Sequence, residues 1–318
     1  MALLRASRDF RDAILEAAHR LGIPARQVEK DYWVTEVLRE LVSRFGTDFL
    51  FKGGTSLSKA YKLIRRFSED VDLLLLSAAG AETERLLDAI QDAAGRLCGQ
   101  GTSTERSTEG LARVVIVPFP KVRDVPRAPG MRQAIRLEPG VRGGPHPYER
   151  RLVDSLMAEA LGLKDAEDLV PFEVPVLHPA RTLVEKLFAV DALAAKLMAD
   201  VEHRVADTEA RHYYDLYFLW DEEASPAMGW LADEENFTAV VNDCIEVSQR
   251  WYPASPARVP EGGFCNSPAF TDGSVIERIA SSYEKMLVEL CYPGAVRPSF
   301  DDIRARAAAV SDRFCPGP

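Results

Sequence analysis

The segment from residue 52 to residue 76, KGGTSLSKAYKLIRRFSEDVDLLLL, constrains this chain more than any other part of it. It continues the short apolar run Phe49–Phe51, and its last residues form a second apolar run, Val71–Leu76. Short apolar runs that end at turn residues are typical of buried strands. Gly53-Gly54 predicts a tight turn after the first run. The spacing therefore predicts a strand, a turn, a short helix and a second strand.

Two acidic residues, Asp70 and Asp72, open the second predicted strand. Residues i and i+2 of a strand point to the same face, so the two carboxylates lie side by side. Two like charges at this separation are costly without a cation between them. Mg²⁺ takes oxygen ligands and keeps waters for nucleotide phosphates. The pair predicts a Mg²⁺ site, with Mn²⁺ as the alternative ion, suited to an in-line displacement at phosphorus.

The residues of the predicted turn suit a phosphate ligand. Gly53 and Gly54 lack a Cβ, so backbone N–H groups can approach an anion closely. The helix that follows presents its positive N-terminal end, and Thr55 and Ser56 add hydroxyl donors. One of these two hydroxyls is expected to cap a helix that runs to about Ile64. The turn is therefore predicted to bind the phosphates of a nucleotide.

Elsewhere the hydrophobic spacing predicts an α/β lobe followed by a helical lobe. Apolar residues recur at helical spacing or in strand-length runs. Helices are predicted over residues 10–21, 26–45, 82–97, 148–161, 179–198, 201–220 and 273–290, strands over 111–119 and 131–137, and loops over 99–110, 140–147 and 253–268. The expected fold class is α+β, with an α/β lobe over residues 1–145 and a helical lobe over 146–318 that completes the active-site cleft.

Composition favours a cytoplasmic protein. Hydrophobic residues make up 47% of the chain and charged residues 28%, and no run of about 18 apolar residues predicts a membrane span. The N-terminal residues lack an apolar signal core. The five cysteines are scattered and include no C-x-x-C, which indicates reduced thiols and neither a zinc site nor a disulfide framework.

Charge is distributed unevenly, since Lys and Arg outnumber Asp and Glu over residues 1–162 and are outnumbered beyond them. At helical spacing Lys59, Lys62 and Arg66 share one face, which suits an RNA backbone or, as the alternative, is a solvated charged face. The basic residues that add to this lobe are Lys121, Arg123, Arg127, Arg132 and Arg136. A tRNA partner would need such a surface.

Several motifs together resemble polymerase-β-like nucleotidyltransferases and, more narrowly, AbiEii/MenT-type toxins of bacterial type IV toxin–antitoxin systems. The resemblance covers roughly residues 25–220 in the expected order. The matching segments are Gly53-Gly54-Thr55, Ser68-Glu69-Asp70-Val71-Asp72, Val28–Trp33, Ile135-Arg136-Leu137-Glu138, His178–Leu187 and Arg211–Leu216. The resemblance implies a polymerase-β-like fold with a mixed sheet in the first lobe.

The resemblance also implies roles for individual residues. Asp70 and Asp72 would hold the metal, and Glu138 would be the third carboxylate, as a ligand or as the base for the attacking hydroxyl. Lys186 would contact the triphosphate, and Asp215 would arrange the site. The implied nucleotide-binding residues are Gly53, Gly54, Thr55, Ser56, Ser68 and Lys186. Ser68 would lie in the pocket, where its modification would serve as a control.

The implied function is transfer of a nucleoside monophosphate from an NTP to the 3′ end of tRNA, which would block aminoacylation and growth. A cognate antitoxin protein is the expected partner, and no membrane partner is expected. Two alternatives stay open at this point. One is a nucleotidyltransferase that acts on a protein or a small molecule, and the other is a non-catalytic NTP-binding partner.

Overall fold

The structure of the protein, a computed structural model, describes residues 3–68, 70–126, 131–163 and 165–314. Glu69, Arg127 and Cys315 lie outside these ranges. The chain divides into two compact units. The first comprises Met1–Lys62, Phe67–Leu177 and Tyr292–Gly294, and the second comprises Leu63–Arg66, His178–Cys291 and Ala295–Pro318.

The first unit is built on a mixed seven-stranded sheet. Its strands are β1 (Phe49–Lys52), β2 (Asp70–Leu75), β3 (Ser103–Thr108), β4 (Ala112–Pro118), β5 (Ala134–Gly140), β6 (Tyr148–Val153) and β7 (Phe172–Leu177). Their order across the sheet is β3-β4-β5-β2-β1-β7-β6. The β1–β7 and β2–β5 pairs are parallel, and the other pairs are antiparallel. The predicted α+β class with a mixed sheet is confirmed.

Five helices accompany this sheet: α1 (Phe10–Leu21), α2 (Ala25–Phe45), α3 (Gly53–Lys59), α4 (Ala81–Cys98) and α5 (Leu156–Leu161). α4 packs against β4, and α2 packs against α1, α4, α5 and β5. The helix predictions for residues 10–21, 26–45 and 82–97 are confirmed to within a residue. Their apolar residues recur every three or four positions, which is the spacing of one helix face. α1 and α4 bury mainly that face, whereas α2 is buried on nearly all sides from Val28 to Leu38.

The two faces of the sheet differ in what they carry around β2. Val71 and Leu73 are almost completely buried on one face. The other face carries a small apolar cluster of Leu50, Leu74 and Leu177, each 1% exposed or less. Asp72 lies on that second face, since side chains two residues apart along a strand share a face. Asp70 and Asp72 therefore lie on the same face of β2 as Leu74, next to this apolar cluster.

α2 buries charged side chains that anchor neighbouring segments. Asp31 pairs with Lys59 of α3 (2.6 Å) and accepts a hydrogen bond from the backbone N–H of Leu156 (2.7 Å). Glu29 accepts a hydrogen bond from the backbone N–H of Val122 (2.6 Å), in the connection between β4 and β5. Buried charges are tolerated when they are paired in this way. α2 thereby holds α3 and α5 in fixed positions relative to the sheet.

The second unit is helical. Its helices are α6 (Pro179–Ala199), α7 (Asp207–Leu219), α8 (Pro226–Trp230), α9 (Glu234–Trp251), α10 (Pro268–Thr271), α11 (Gly273–Leu290) and α12 (Phe300–Ala309). α6 packs against α7, α8, α9 and α10, and α7 also packs against α11 and α12. α6 and α11 confirm the helices predicted there. No helix in the described part of the chain is long and apolar enough to cross a membrane.

The structure corrects three predictions of local structure. The predicted loop over residues 99–110 contains β3, whose side chains are all exposed, so no alternation of apolar and polar residues marks it. The predicted helix over 148–161 is β6 followed by the short α5. The helix expected to reach Ile64 ends at Lys59, and Lys62 has a positive φ of 55° that no α-helix contains.

The first unit extends beyond the boundary predicted near residue 145. β7 was not predicted, and it pairs with both β1 and β6, so residues up to Leu177 belong to the sheet. The mainly helical part of the chain begins at His178, the N-cap of α6.

Candidate active site

The turn between β1 and α3 packs directly against the carboxylate of Asp72. Gly53 has a φ of +79°, a conformation that residues with a side chain rarely adopt. A Cβ at this position would lie 2.9 Å from Asp72 Cγ and closer still to Oδ2. Only glycine therefore allows the turn and the carboxylate to be neighbours. The group that lies against Gly53 within the chain is Asp72, and the approach of a phosphate to this turn stays a prediction.

The third acidic residue lies beside the first two on the neighbouring strand. In the parallel β2–β5 pair, Asp72 is opposite Glu138, and Asp70 is opposite Arg136. Paired residues of neighbouring strands point to the same face. All four side chains are partly exposed, whereas Val71 and Leu137 between them are completely buried. The sheet thus presents three carboxylates on adjacent positions of one face, with Arg136 among them.

The hydroxyl groups of the turn bind backbone carbonyls. Thr55 Oγ1 donates to the backbone oxygen of Asp70 (2.5 Å) and lies 2.8 Å from Ser68 Oγ. Ser56 Oγ donates to the backbone oxygen of Gly53 (2.8 Å). The predicted helix cap at Thr55 or Ser56 is wrong, because the helix already begins at Gly53 and both hydroxyls lie within its first turn. Thr55 instead ties α3 and Ser68 to the start of β2.

Arg136 binds the carboxylate of Glu138. Its Nη1 forms an ion pair with Glu138 Oε1, and its Nε lies 3.5 Å from Glu105 Oε2 on β3. Arg132 lies 3.0 Å from the same Glu105 oxygen. These two arginines, which were expected to add to a basic surface, are paired with acidic groups. Sequence reasoning missed Arg136 as a site residue, although its spacing of two from Glu138 on a strand places both on one face.

The three acidic residues suit a hard divalent cation by the chemistry of their donors, since all of them are carboxylates. Among the described residues, no three His, Cys, Asp or Glu side chains converge into a metal-binding group. The guanidinium of Arg136 lies against Glu138. A cation that binds Asp70, Asp72 and Glu138 together has to compete with Arg136 for Glu138. The metal-binding role of the three therefore stays a prediction.

In the second unit, Asp215 of α7 is buried between two cations. Arg66 Nε and Nη2 donate to Asp215 Oδ1 and Oδ2 at 2.7 and 2.8 Å. Lys186 Nζ of α6 lies 2.8 Å from Oδ2. Burial alone would raise the pKa of Asp215, but the charges of Arg66 and Lys186 outweigh it and hold that pKa below its usual range. Asp215 is therefore an anion that orients Lys186.

This buried cluster carries an excess of positive charge. Arg66 and Lys186 are cations, and Asp215 supplies one negative charge. His212, one turn before Asp215 on α7, lies with Nδ1 3.2 Å from Lys186 Nζ. Burial and the neighbouring Lys186 lower the pKa of His212 to about 3, so the ring is neutral at physiological pH. The cluster has a net charge of about +1, which favours an anionic ligand.

The basic helix face predicted from Lys59, Lys62 and Arg66 does not exist. Arg66 is 3% exposed and is paired with Asp215, and Lys59 is 5% exposed and is paired with Asp31. Lys62 pairs with Asp154 (3.1 Å). The reason is that α3 stops at Lys59, so helical spacing does not apply to the residues that follow.

The structure assigns the predicted site residues to two groups. Gly53, Gly54, Thr55, Ser56, Ser68, Asp70, Asp72 and Glu138 lie in the first unit, and Lys186 and Asp215 lie in the second. Sequence reasoning missed two members of the second group. His212 carries a signal, because it lies three residues before Asp215 on the same helix. Arg66 carries none, because 149 residues separate it from Asp215.

The chain resembles known proteins at the levels of family and fold. The model of the family described as nucleotidyl transferase AbiEii toxin, type IV TA system, matches residues 36–306. No curated protein matches the chain. Among solved structures, the chain is similar in fold to MenT4, a nucleotidyltransferase toxin from Mycobacterium tuberculosis H37Rv. That match has 18% identity and a TM-score of 0.59, and it covers 94% of this chain and 89% of MenT4. Because the family model matches most of this chain, the chain belongs to the AbiEii nucleotidyl transferase toxins of type IV toxin–antitoxin systems.

Proposed function

We propose that this nucleotidyltransferase toxin transfers a nucleoside monophosphate from an NTP to the 3′ end of tRNA. The terminal hydroxyl oxygen forms a bond to the α-phosphorus, the bond from that phosphorus to the bridging oxygen of the β-phosphate breaks, and pyrophosphate leaves. In a tRNA modified in this way the original 3′-terminal hydroxyl is esterified to the added nucleotide, so this tRNA can no longer be aminoacylated at that terminus and growth stops. The choice of tRNA rests on the resemblance of the motifs to AbiEii/MenT-type toxins.

One observation supports nucleotidyl transfer above the others. Asp72 and Glu138 are directly opposite each other in the β2–β5 pair, with Asp70 on the same face and the Gly53 backbone against Asp72. An enzyme that transfers a group to or from phosphorus has to position the phosphates and neutralise their charge. Carboxylates that can bind a cation and a glycine turn that can approach a phosphate suit these two tasks.

Asp70, Asp72 and Glu138 are the residues that we assign to Mg²⁺, or to Mn²⁺ as the alternative ion. When bound, the ion supplies charge neutralisation at the phosphate oxygens. Glu138 has a second candidate role as the base that accepts the proton of the attacking hydroxyl. In either role Glu138 first has to give up part of its interaction with Arg136.

The remaining residues are assigned to nucleotide binding. Gly53 and Gly54 bring backbone N–H groups close to the phosphates, with Thr55 and Ser56 fixing the turn. Lys186 contacts the triphosphate as a point charge, and the net positive charge of its cluster supports this assignment. Asp215 acts through Lys186 as a positioning residue. Ser68, which lies 2.8 Å from Thr55, borders the turn, so modification of its hydroxyl would alter nucleotide binding.

A type IV system includes an antitoxin, and we propose that a cognate antitoxin protein, encoded alongside, restrains this enzyme. A tRNA acceptor and an NTP donor imply that it acts in the cytoplasm.

The proposal is tested by incubating the purified protein with total tRNA, Mg²⁺ and each α-³²P-labelled NTP in turn. We expect label on tRNA with at least one NTP, and no label on tRNA whose terminal diol has been oxidised with periodate. Asp70→Asn and Asp72→Asn should lose the activity, because each removes a negative charge and leaves the shape unchanged. Asp92→Asn on the exposed face of α4 is the matched control and should label tRNA as the wild type does.

The outcomes separate the candidate functions. Label that appears on protein or on small molecules in place of tRNA would reassign the acceptor. NTP binding without any transfer would favour a non-catalytic partner. Unchanged labelling by folded Asp70→Asn and Asp72→Asn proteins would exclude the assigned metal site.

A further inference from the structure

α7 presents two hydrogen-bond acceptors to the same ammonium group. Asp215 Oδ2 lies 2.8 Å from Lys186 Nζ, and His212 Nδ1 lies 3.2 Å from it. Residues three apart on an α-helix lie on one face, so both side chains reach α6 together. Two of the three N–H donors of Lys186 are thereby engaged within the second unit. The histidine is as much a part of this arrangement as the aspartate is.

The contact with Lys186 selects one tautomer of His212. An ammonium group only donates hydrogen bonds, so Nδ1 has to carry the lone pair and Nε2 has to carry the proton. A doubly protonated ring is disfavoured, because burial and then the charges of Lys186, Arg66 and Arg211 lower the pKa of His212, against the opposing charge of Asp215. His212 is therefore a neutral ring with a fixed Nε2–H donor.

That donor is not used within the described part of the chain. Among the described residues, His212 makes its hydrogen bond at Nδ1, and no protein group there accepts from Nε2. His212 is half-buried, so part of its side chain is exposed to solvent. A fixed, accessible donor next to a cluster of net positive charge suits an anionic oxygen.

We propose that His212 is a ligand-binding residue, which holds Lys186 through Nδ1 and donates Nε2–H to a phosphate oxygen of the nucleotide that Lys186 binds. This inference rests on the proposed role of Lys186 in triphosphate binding. It adds a neutral donor beside the charged donor of Lys186. It also predicts that the contact is made to phosphate and not to the base.

Two substitutions separate the two nitrogens. In His212→Asn the amide oxygen can replace Nδ1 as the acceptor for Lys186, but no group replaces Nε2–H. In His212→Gln the amide nitrogen can replace the Nε2 donor, but the acceptor near Lys186 is lost. His212→Ala removes both groups. Thermal unfolding of each variant establishes that it is folded before its binding is compared.

Binding is measured by calorimetry with inorganic tripolyphosphate and with the NTP that the wild type uses, in a form that cannot be cleaved between the α- and β-phosphates. We expect His212→Asn to weaken the binding of both ligands by about tenfold or more, as for loss of a hydrogen bond to a charged group. The loss should be equal for the two ligands, because the contact is to phosphate. A His212→Asn protein that binds both ligands as tightly as the wild type would overturn the proposal.

Nitrogen-15 NMR of the histidine rings gives a second readout that needs no ligand. We expect a neutral ring with the proton on Nε2 at pH 7, and a proton on Nδ1 or on both nitrogens would overturn the proposal. If the wild type bound neither tripolyphosphate nor any NTP, the proposed function would fail, and the ligand contact of His212 would fail with it. Loss of activity in Asp70→Asn alone would leave the His212 result unaffected, since tripolyphosphate binding is measured without turnover.

Discussion

We predict that replacing Gly53 with alanine lowers nucleotidyl transfer by about 100-fold while the protein stays folded. Two effects act at this residue. An alanine at a φ of +79° costs about 1 kcal/mol of conformational strain. In addition, its Cβ would lie 2.9 Å from Asp72 Cγ and nearer to Oδ2, so either the carboxylate or the turn has to move.

Gly22, the C-cap of α1, is a matched control. Its φ of +66° is also in the left-handed region, but a Cβ there would have nothing within 4 Å. Gly22→Ala therefore has the same unfavourable backbone conformation but displaces no neighbouring group. Both variants should lose about 1 kcal/mol of unfolding free energy, which lowers the melting temperature by about 2–4 °C. Misplacing a catalytic group by about 1 Å costs on the order of 100-fold in rate, so only Gly53→Ala should lose that much kcat/KM.

The assay is transfer of labelled nucleotide under subsaturating NTP, with urea unfolding of the same preparations. Equal activity of the two variants would refute the reasoning, because it would mean that the contact between residue 53 and Asp72 is irrelevant to catalysis. A Gly53→Ala protein that unfolds far more easily than Gly22→Ala would show that the turn supports the fold as well as the site.

Three further predictions concern ionisable side chains. Asp215→Ala leaves Arg66 and Lys186 buried without their shared anion, so the free energy of unfolding in urea should fall by about 3–5 kcal/mol. Asp70→Asn, in contrast, should lose activity with little change in that free energy. Arg136→Leu removes the guanidinium that competes with the metal ion for Glu138. The Mg²⁺ concentration for half-maximal activity should therefore fall by about threefold, which corresponds to the loss of a partly exposed ion pair. Arg132→Leu is the control and should leave that concentration unchanged. In the folded protein the pKa of His212 lies below 6.5, its value in the unfolded chain. Below about pH 6.5 the unfolded chain therefore takes up a proton at His212 that the folded protein does not, so the free energy of unfolding should fall as the pH drops. The slope from this residue is at most about 1.4 kcal/mol per pH unit. His212→Asn, whose amide does not titrate, should remove this slope, and an unchanged slope in that variant would mean that His212 is not held neutral in the folded protein.

Local patterns predicted the parts of the fold and site that depend on neighbours in sequence. α1, α2 and α4 were predictable because one face of each is apolar at helical spacing, and β2 because its apolar run follows two acids. The contact of Gly53 with Asp72 was not predicted, and it follows from the antiparallel pairing of β1 with β2, in which Lys52 is opposite Asp72. The role of Glu138 was predicted only from the family resemblance. Its sequence neighbours do not show that β5 pairs with β2, or that the register of this pair places Glu138 opposite Asp72.

What could not be predicted depends on partners far away in sequence. β3 is polar on both sides because it is the last strand at one edge of the sheet, so it lacks the alternation that identifies a half-buried strand. The charge of Arg66 indicated an exposed residue, and only its distant partner Asp215 explains its burial. The sequence around Glu138 likewise shows Arg136 but not that the two side chains pair.

The outermost strands of the sheet also bear on how the protein behaves at high concentration. β3 and β6 are the first and last strands, and each carries exposed charged side chains, with Glu105 and Arg106 on one and Arg150 and Arg151 on the other. Charges on edge strands hinder the docking of a second sheet, which is the usual first step of aggregation. A toxin that accumulates faster than its antitoxin would therefore remain dispersed and active, and its restraint would depend on the supply of the antitoxin and not on precipitation of the enzyme.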